Sequence, residues 1–329
     1  PPGSIRQNKC FMRKKLRLAI TTGDSDGIGP EICTKALLSI GSKFNLVFFL
    51  YRSANFPKKY LRQLDRRFDR IQVSSFEEYL KNHSNSKFTL VDVVSGESAA
   101  DWVVTVARLC LKKELDGLAT APLSKTSIRA SGYREIGHTE LIQMVAKTRA
   151  PFMTFLGEKF NVLLVTGHVS LSKVRLTRVR LYRAGLAAIE LRKLLTPKCR
   201  KLPLAIVGLN PHAGENNIIG REESEIFRPV IKRLSKIVAL AGPLVPDAAF
   251  LPQNWQKYSV YICPYHDQGL IPFKALNGTA GVHLTLGIPF VRTSVDHGTA
   301  KDLYAKDKAD ATSMKSAIEL AIKLIRKKG

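Results

Sequence analysis

LRLAITTGDSDGIGPEICTKALLSI, residues 16–40, is the stretch on which the fold is read. Leu16–Thr22 is a β-branched apolar run of strand length. It passes directly into a glycine-rich turn at Gly27 and Gly29, and Pro30 with Glu31 suits the first turn of a helix. A strand feeding such a turn and a helix amino terminus is a place where anions dock. Only Gly27-x-Gly29 is present, so this is not the G-x-G-x-x-G dinucleotide fingerprint, and a plain βα turn is the alternative.

The alternation continues outward. Phe44–Tyr51 and Phe88–Val94 read as strands with the charged helical stretch Lys58–Arg70 between them. Ala99–Leu115 reads as a helix, and Asp116–Thr120 as a strand ending in Ala121–Lys125. Short apolar strands alternating with amphipathic helices predict an α/β fold on a parallel sheet. A chain of 329 residues exceeds what one core usually supports, so two domains are expected.

The second half adds chemistry. Asn161–Gly167 runs into His168, Leu204–Pro211 into His212, and Ser259–Tyr265 into His266. Three strand-length apolar runs each deliver a histidine beyond the carboxyl end, which is the edge where open α/β sheets bind ligands. Three imidazoles are also the ligand count of a catalytic divalent-metal site, and imidazole suits Zn or Co better than Mg. Pro264–Asp302 holds His266, His283 and His297 with Lys274 and Arg292 among several glycines, and reads as a loop wrapped around a ligand. In GHTELI, Thr139 is expected as an N-cap with His138 just before it, placing both at the positive end of a helix. Asp247, in a proline-containing loop, is a candidate acid, base or supporting carboxylate. Ala311–Lys328 reads as a closing amphipathic helix.

Composition bounds the rest. Lys and Arg number 52 against 27 Asp and Glu, a net charge of +25, with ten basic residues and one acid in Ser172–Lys201. Such a surface attracts polyanions, but aromatic interleaving, RGG repeats and zinc knuckles are absent. The basic face is therefore read as solvated, and nucleic acid is not expected as a partner; a nucleic-acid-binding protein built on an enzyme fold is the alternative from another class. Cys10, Cys33, Cys110, Cys199 and Cys263 form an odd set without a C-x-x-C pair, which points to a reducing cytoplasm rather than a disulfide framework. Cys199 has basic neighbours that favour a thiolate, with an inert surface thiol as the expected outcome. No apolar run is long enough to span a bilayer. The basic segment Pro1–Lys15 lacks the apolar core of a signal peptide.

TTGDSDGIGPEI, GHTELI, GLNPHAGE, YHDQGLIPFK and GIPFVRTSVDHGTA, in this order, resemble the 4-hydroxythreonine-4-phosphate dehydrogenases of pyridoxal phosphate biosynthesis from about Leu16 onward. The resemblance implies two α/β/α domains like those of isocitrate and isopropylmalate dehydrogenases. Residues 1–128 with 275–329 would form the cofactor side, and residues 129–274 the metal, substrate and dimerisation side. It implies a homodimer with the active site in the interdomain cleft at the subunit interface. By the same resemblance His168, His212 and His266 are metal ligands, with His266 supplied by the partner. His138, Thr139, Lys274, His283 and Arg292 would contact the substrate, and His297, Gly298 and Thr299 the cofactor. NAD is the implied cofactor, with NADP as the alternative, together with a divalent Zn, Co or Mg ion. The implied reaction oxidises a phosphorylated hydroxy-amino acid at a secondary alcohol, with Asp247 or Lys274 as base, to a β-keto acid that loses carbon dioxide. The sequence departs from the family pattern at His283, where Asn is usual, at GDSDGIGPE in place of GDPAGIGPE, and at GHVSL around His168. A dehydrogenase of a phosphorylated sugar acid is therefore the second reading.

Overall fold

The computed structural model describes residues 15–42, 45–83, 87–135, 137–148 and 151–328. The expected basic tail up to residue 14, with Cys10, and Phe44 at the start of the second expected strand lie outside the described residues. The strands are β1 (Leu16–Thr21), β2 (Leu46–Tyr51), β3 (Arg70–Val73), β4 (Leu90–Val93), β5 (Gly117–Thr120) and β6 (Phe152–Leu156). They continue as β7 (Asn161–Leu164), β8 (Leu204–Val207), β9 (Leu240–Leu244), β10 (Tyr261–Cys263), β11 (Val282–Leu286) and β12 (Val291–Val295). All join one sheet in the order β3-β4-β2-β1-β5-β12-β11-β6-β7-β10-β8-β9.

Strands alternate their side chains across the sheet, so a strand apolar at every position must be covered on both faces. In β1 and β2, Leu18, Ile20, Phe48 and Leu50 join a core with Ile32 and Leu37 of the Gly29–Ile40 helix and Ile318 and Ile322 of the Thr312–Lys328 helix. Ala19, Val47, Phe49 and Tyr51 face the other way, against Trp102, Val103 and Val106 of the Ala99–Leu111 helix. Each large side chain sealed in this way contributes about 1.5–3 kcal/mol. Ser98 caps the Ala99–Leu111 helix reciprocally with Asp101.

The sheet is only partly parallel, and this positions the site. The pairings β12–β11, β11–β6 and β6–β7 are antiparallel, whereas β3 to β12 on one side and β7 to β9 on the other form parallel blocks. Three reversals leave the two blocks pointing opposite ways, so their carboxyl ends open on opposite edges. The strands of residues 1–128 and 275–329 occupy one half of the order, and those of 129–274 the other.

The opening turn owes its glycines to close approach. A Cβ on Gly29 would lie 1.8 Å from the Thr22 carbonyl oxygen, and one on Gly23, at φ +67°, 1.9 Å from that of Pro122. Gly29→Ala must therefore push β1 from its helix. We expect a loss of about 3 kcal/mol, read as a lower urea midpoint at unchanged slope.

In the first half of the chain, two elements escaped the sequence reading. Lys58–Arg70 splits into a Lys58–Asp65 helix and β3, and a further helix follows at Phe76–His83. β3 is pinned through Arg70, whose Nη1 donates to the buried Asp92 at 2.5 Å while Arg52 clamps the same carboxylate at 2.6 and 2.7 Å. In the basic stretch, Arg178, Arg180 and Arg192 donate to backbone carbonyls of Glu225, Val165 and Arg200, which engages part of the charge within the fold. Cys199 is half-buried, and burial raises its thiol against the expected pull of its basic neighbours.

Candidate active site

Pro264–Asp302 was expected as one wrapped loop. It folds instead as the His266–Asn277 helix, a short Gly278–Ala280 turn and the β11–β12 pair. Strand periodicity brings His283, Arg292 and Ser294 to one face of the sheet beside Met153 and Phe155 of β6. A cavity of about 330 Å³ lies over that face. It also takes His138, Thr139 and Glu140 from the start of the His138–Ala146 helix, His168 from beyond β7, Lys125 from beyond β5, and His297 and Gly298 from beyond β12. His266 and Lys274 complete it from the His266–Asn277 helix. Groups from both sheet edges thus meet across the antiparallel middle.

Gly137, extended at φ −173°, is the N-cap of the His138–Ala146 helix. His138 is its first residue and Thr139 its second, so the cap lies two places earlier than the Thr139 the capping pattern suggested, because Gly137 makes the entry without a side-chain cap.

His168 and His266 lie together, with ring centroids 5.3 Å apart. β7 and β10 are parallel neighbours in register from Val162↔Tyr261 to Leu164↔Cys263, so residues just beyond their ends are adjacent. Within one chain His266, expected from a partner, stands beside His168. A carboxylate faces each Nδ1, Asp267 at 2.6 Å for His266 and Glu140 at 3.5 Å for His168. Carboxylates on Nδ1 leave Nε2 for a metal, the usual support of ligating histidines.

His212 is not with them. It is exposed, in the Pro211–Asn217 turn beyond β8, and that turn packs beside the Pro246–Ala249 turn carrying the exposed Asp247. Neither residue lines the cavity. Among the described residues, no three His, Cys, Asp or Glu side chains gather closely enough to hold a metal ion. The donor set therefore fits a divalent cation in chemistry and in two of its three imidazoles. The His212 turn is left-handed throughout, with φ of 51° at His212, 54° at Ala213, 84° at Gly214, 40° at Glu215 and 54° at Asn216. Glu223, 2% exposed, braces it: Oε1 accepts from the backbone of Leu209 at 2.7 Å and Asn210 at 2.8 Å, and Oε2 from Asn210 Nδ2 at 2.9 Å.

At the opposite end Lys274 Nζ contacts the Asp296 carbonyl at 3.0 Å and its carboxylate at 3.2 Å. Burial raises the Asp296 carboxyl against the pull of that lysine. His297 Nδ1 lies 3.0 Å from the Gly298 carbonyl, and its buried Nε2 has no partner among the described residues, so the wall suits a polar ligand group. Thr299 stands behind the wall rather than on it: its carbonyl accepts from Ile28 at 3.0 Å, tying this segment to the opening turn.

The central wall is cationic but tightly sealed. Arg292 is 1% exposed. It donates to Thr120 at 2.8 Å and Thr285 at 3.0 Å, and its burial lowers it to about 9, still charged at neutral pH. Burial, then Arg292, pushes His138 down to about 3, and the same causes in the same order hold His283 well below the usual imidazole range. An unfolded chain protonates His283 near pH 6.5 and the folded one does not, so below that pH the unfolded state binds more protons. Stability must then fall as pH drops below about 6.5, the slope for this ring approaching about 1.4 kcal/mol per pH unit once the unfolded imidazole is fully protonated. In urea titrations between about pH 6.5 and 5.5, His283→Asn should remove about 1 kcal/mol of that loss.

Glu140, Phe155, Ser294 and Asp296 are site residues that the sequence reading did not single out. Glu140 and Asp296 sit inside motifs already noticed, GHTELI and SVDHG, and that proximity is their only signal.

A two-block α/β sheet joined through an antiparallel middle is a fold shared with isocitrate dehydrogenase. The isocitrate dehydrogenase of Methylococcus capsulatus matches it at a TM-score of 0.53 and 14% identity over 94% of this chain and 86% of its own, a likeness of fold alone. The family described as pyridoxal phosphate biosynthetic protein PdxA matches residues 36–321, and the chain belongs to that family. A 4-hydroxythreonine-4-phosphate dehydrogenase of Geobacter metallireducens is 35% identical, covering 96% of this chain and 97% of the relative. A D-threonate 4-phosphate dehydrogenase of Salmonella typhimurium is also 35% identical, over 93% of this chain and 98% of its own. The crystal structure of the 4-hydroxythreonine-4-phosphate dehydrogenase of Klebsiella pneumoniae matches at a TM-score of 0.74 and 31% identity, covering 95% of this chain and 98% of that one. The chain is thus a dehydrogenase of this family. No helix among the described residues is long and apolar enough to cross a membrane.

Proposed function

We propose that the chain oxidises 4-(phosphooxy)-L-threonine at its secondary hydroxyl, giving a β-keto acid that decarboxylates to 3-amino-2-oxopropyl phosphate on the way to pyridoxal 5′-phosphate. The observation that carries this reading is the His168–His266 pair opening into the same cavity as Arg292, His138, His283 and Lys274. Those donors and charges suit the phosphate and carboxylate of such a substrate. Asp267 and Glu140 hold the two imidazoles in orientation. When bound, a divalent cation at the paired imidazoles would lower the pKa of the substrate hydroxyl, and NAD along the His297–Gly298 wall would take the hydride. Lys274, held by Asp296 at the cavity's other end, is the candidate for moving the proton. The second reading, a D-threonate 4-phosphate type of substrate, is favoured by a relative of that name at equal identity. NADH formation with each compound, with and without a chelator, separates the two, and no turnover with either would remove the reading.

The site is completed in a homodimer. A single chain lacks the third imidazole, while His212 and Asp247 share an exposed surface with Ile218, 81% exposed, Ile219 and Val245. A second copy covering that surface would receive His212 and Asp247 into its own cavity. His168→Ala and His212→Ala proteins, each inactive, should therefore regain about a quarter of wild-type activity when mixed and refolded together, because each mixed dimer holds one intact site. No recovery means that the ligands act within one chain.

A further inference from the structure

His283 and Arg292 form a pair whose hydrogen bonding leaves one arrangement of protons. His283, 6% exposed, stacks on Phe155 with ring centroids 4.9 Å apart and planes 14° from parallel, which fixes the ring plane. Its Nδ1 lies 3.1 Å from Arg292 Nη1 and 3.1 Å from Ser294 Oγ. A hydroxyl can donate or accept, but a guanidinium has only donors. Nδ1 must therefore be the bare, accepting nitrogen, and the proton of the neutral ring sits on Nε2. That Nε2 is buried and has no partner among the described residues, in a residue that lines the cavity. Arg292 spends its terminal nitrogens on Thr285, Thr120 and His283, and its Nε has no partner among the described residues. Its guanidinium is thus directed mainly into the protein, with Glu140 the carboxylate that bears on its charge.

We propose that Arg292 is a positioning residue which locks His283 as the Nε2–H tautomer, so that His283 presents a fixed donor to an oxyanion of the substrate, a phosphate or carboxylate oxygen. The proposal rests on the dehydrogenase reading for the identity of that oxyanion, but not for the tautomer. An N–H at this point donates to an oxygen and offers nothing to an ammonium group, so a substrate amine lies elsewhere in the cavity. Burial and the nearby charge of Arg292 keep the ring neutral, which agrees with this arrangement.

The test is two-bond ¹H–¹⁵N correlation on the full chain labelled at histidine, dialysed against chelator, near neutral pH, with His283 assigned by the signals lost in His283→Asn. The wild type should show a protonated Nε2 and a bare Nδ1. Ser294→Ala should keep that pattern, and Arg292→Met should lose it to a mixture. Inorganic phosphate should shift the Nε2 resonance in the wild type, and less in Arg292→Met. A wild-type ring protonated at Nδ1, loss of the pattern in Ser294→Ala, or an unchanged pattern in Arg292→Met overturns the lock. An Nε2 signal that phosphate leaves unmoved overturns the substrate-facing role. Should Arg292→Met fail to fold, the wild type and Ser294→Ala decide the matter. None of these spectra requires turnover, so their failure is distinguishable from failure of the enzymatic reading.

Discussion

His266→Ala should lower turnover by on the order of a thousandfold and abolish divalent-metal binding at equimolar concentration. The warrant is position: the ring starts a helix at the cavity wall, stands beside His168, and has its Nδ1 held by Asp267 at 2.6 Å. Loss of a supporting group alone commonly costs ten- to a hundredfold in metal affinity or activity, and loss of the ligand itself should exceed that. Asp267→Asn gives the smaller effect, about ten- to a hundredfold, because the ring stays but its orientation is less well held. Metal content by elemental analysis and NADH formation are the two measurements. Full metal occupancy with normal turnover in His266→Ala would sink the paired-imidazole site.

The largest effect on stability is expected at Glu223. Its carboxylate takes two backbone N–H groups and the Asn210 amide within a buried setting, and among the described residues those donors have no other acceptor apart from Glu222, which shares the Asn210 amide. Truncation leaves them unpaired at about 1–3 kcal/mol each. It also frees a turn in which non-glycine residues hold left-handed angles that cost about 1–2 kcal/mol apiece. Glu223→Ala should therefore destabilise the chain by about 3–5 kcal/mol and, by releasing His212, depress turnover even where the protein still folds. Glu223→Gln, which keeps one acceptor oxygen, should recover about half of the stability. Urea midpoints of both variants read this directly, and a wild-type midpoint in Glu223→Ala would remove the brace.

How much of this was legible in the residues depends on the range of the interaction responsible. β1 and its turn, β2, β4, β5 and the closing helix were visible because each is a local pattern: an apolar run, a breaker, a periodic face. β3 was not, because its four residues carry no strong pattern and are held by an ion cluster through Asp92, 22 positions from Arg70. β6, β11 and β12 were hidden by glycines and prolines that read as loop. The histidines beyond β7 and β10 could be picked from sequence, since parallel neighbours bring equivalent ends together. His212 followed the same local rule and still landed elsewhere.

From its order of residues alone the chain determines an α/β architecture, its family, and the residue types from which the site is built, because these follow from short-range periodicity and shared motifs. Tertiary structure alone decided that the two parallel blocks run in opposite senses, that His266 sits in cis beside His168, and that Arg292 turns its guanidinium towards His283. Those outcomes rest on strand pairing and on buried hydrogen bonds between residues far apart in the chain, whose partners no local pattern names.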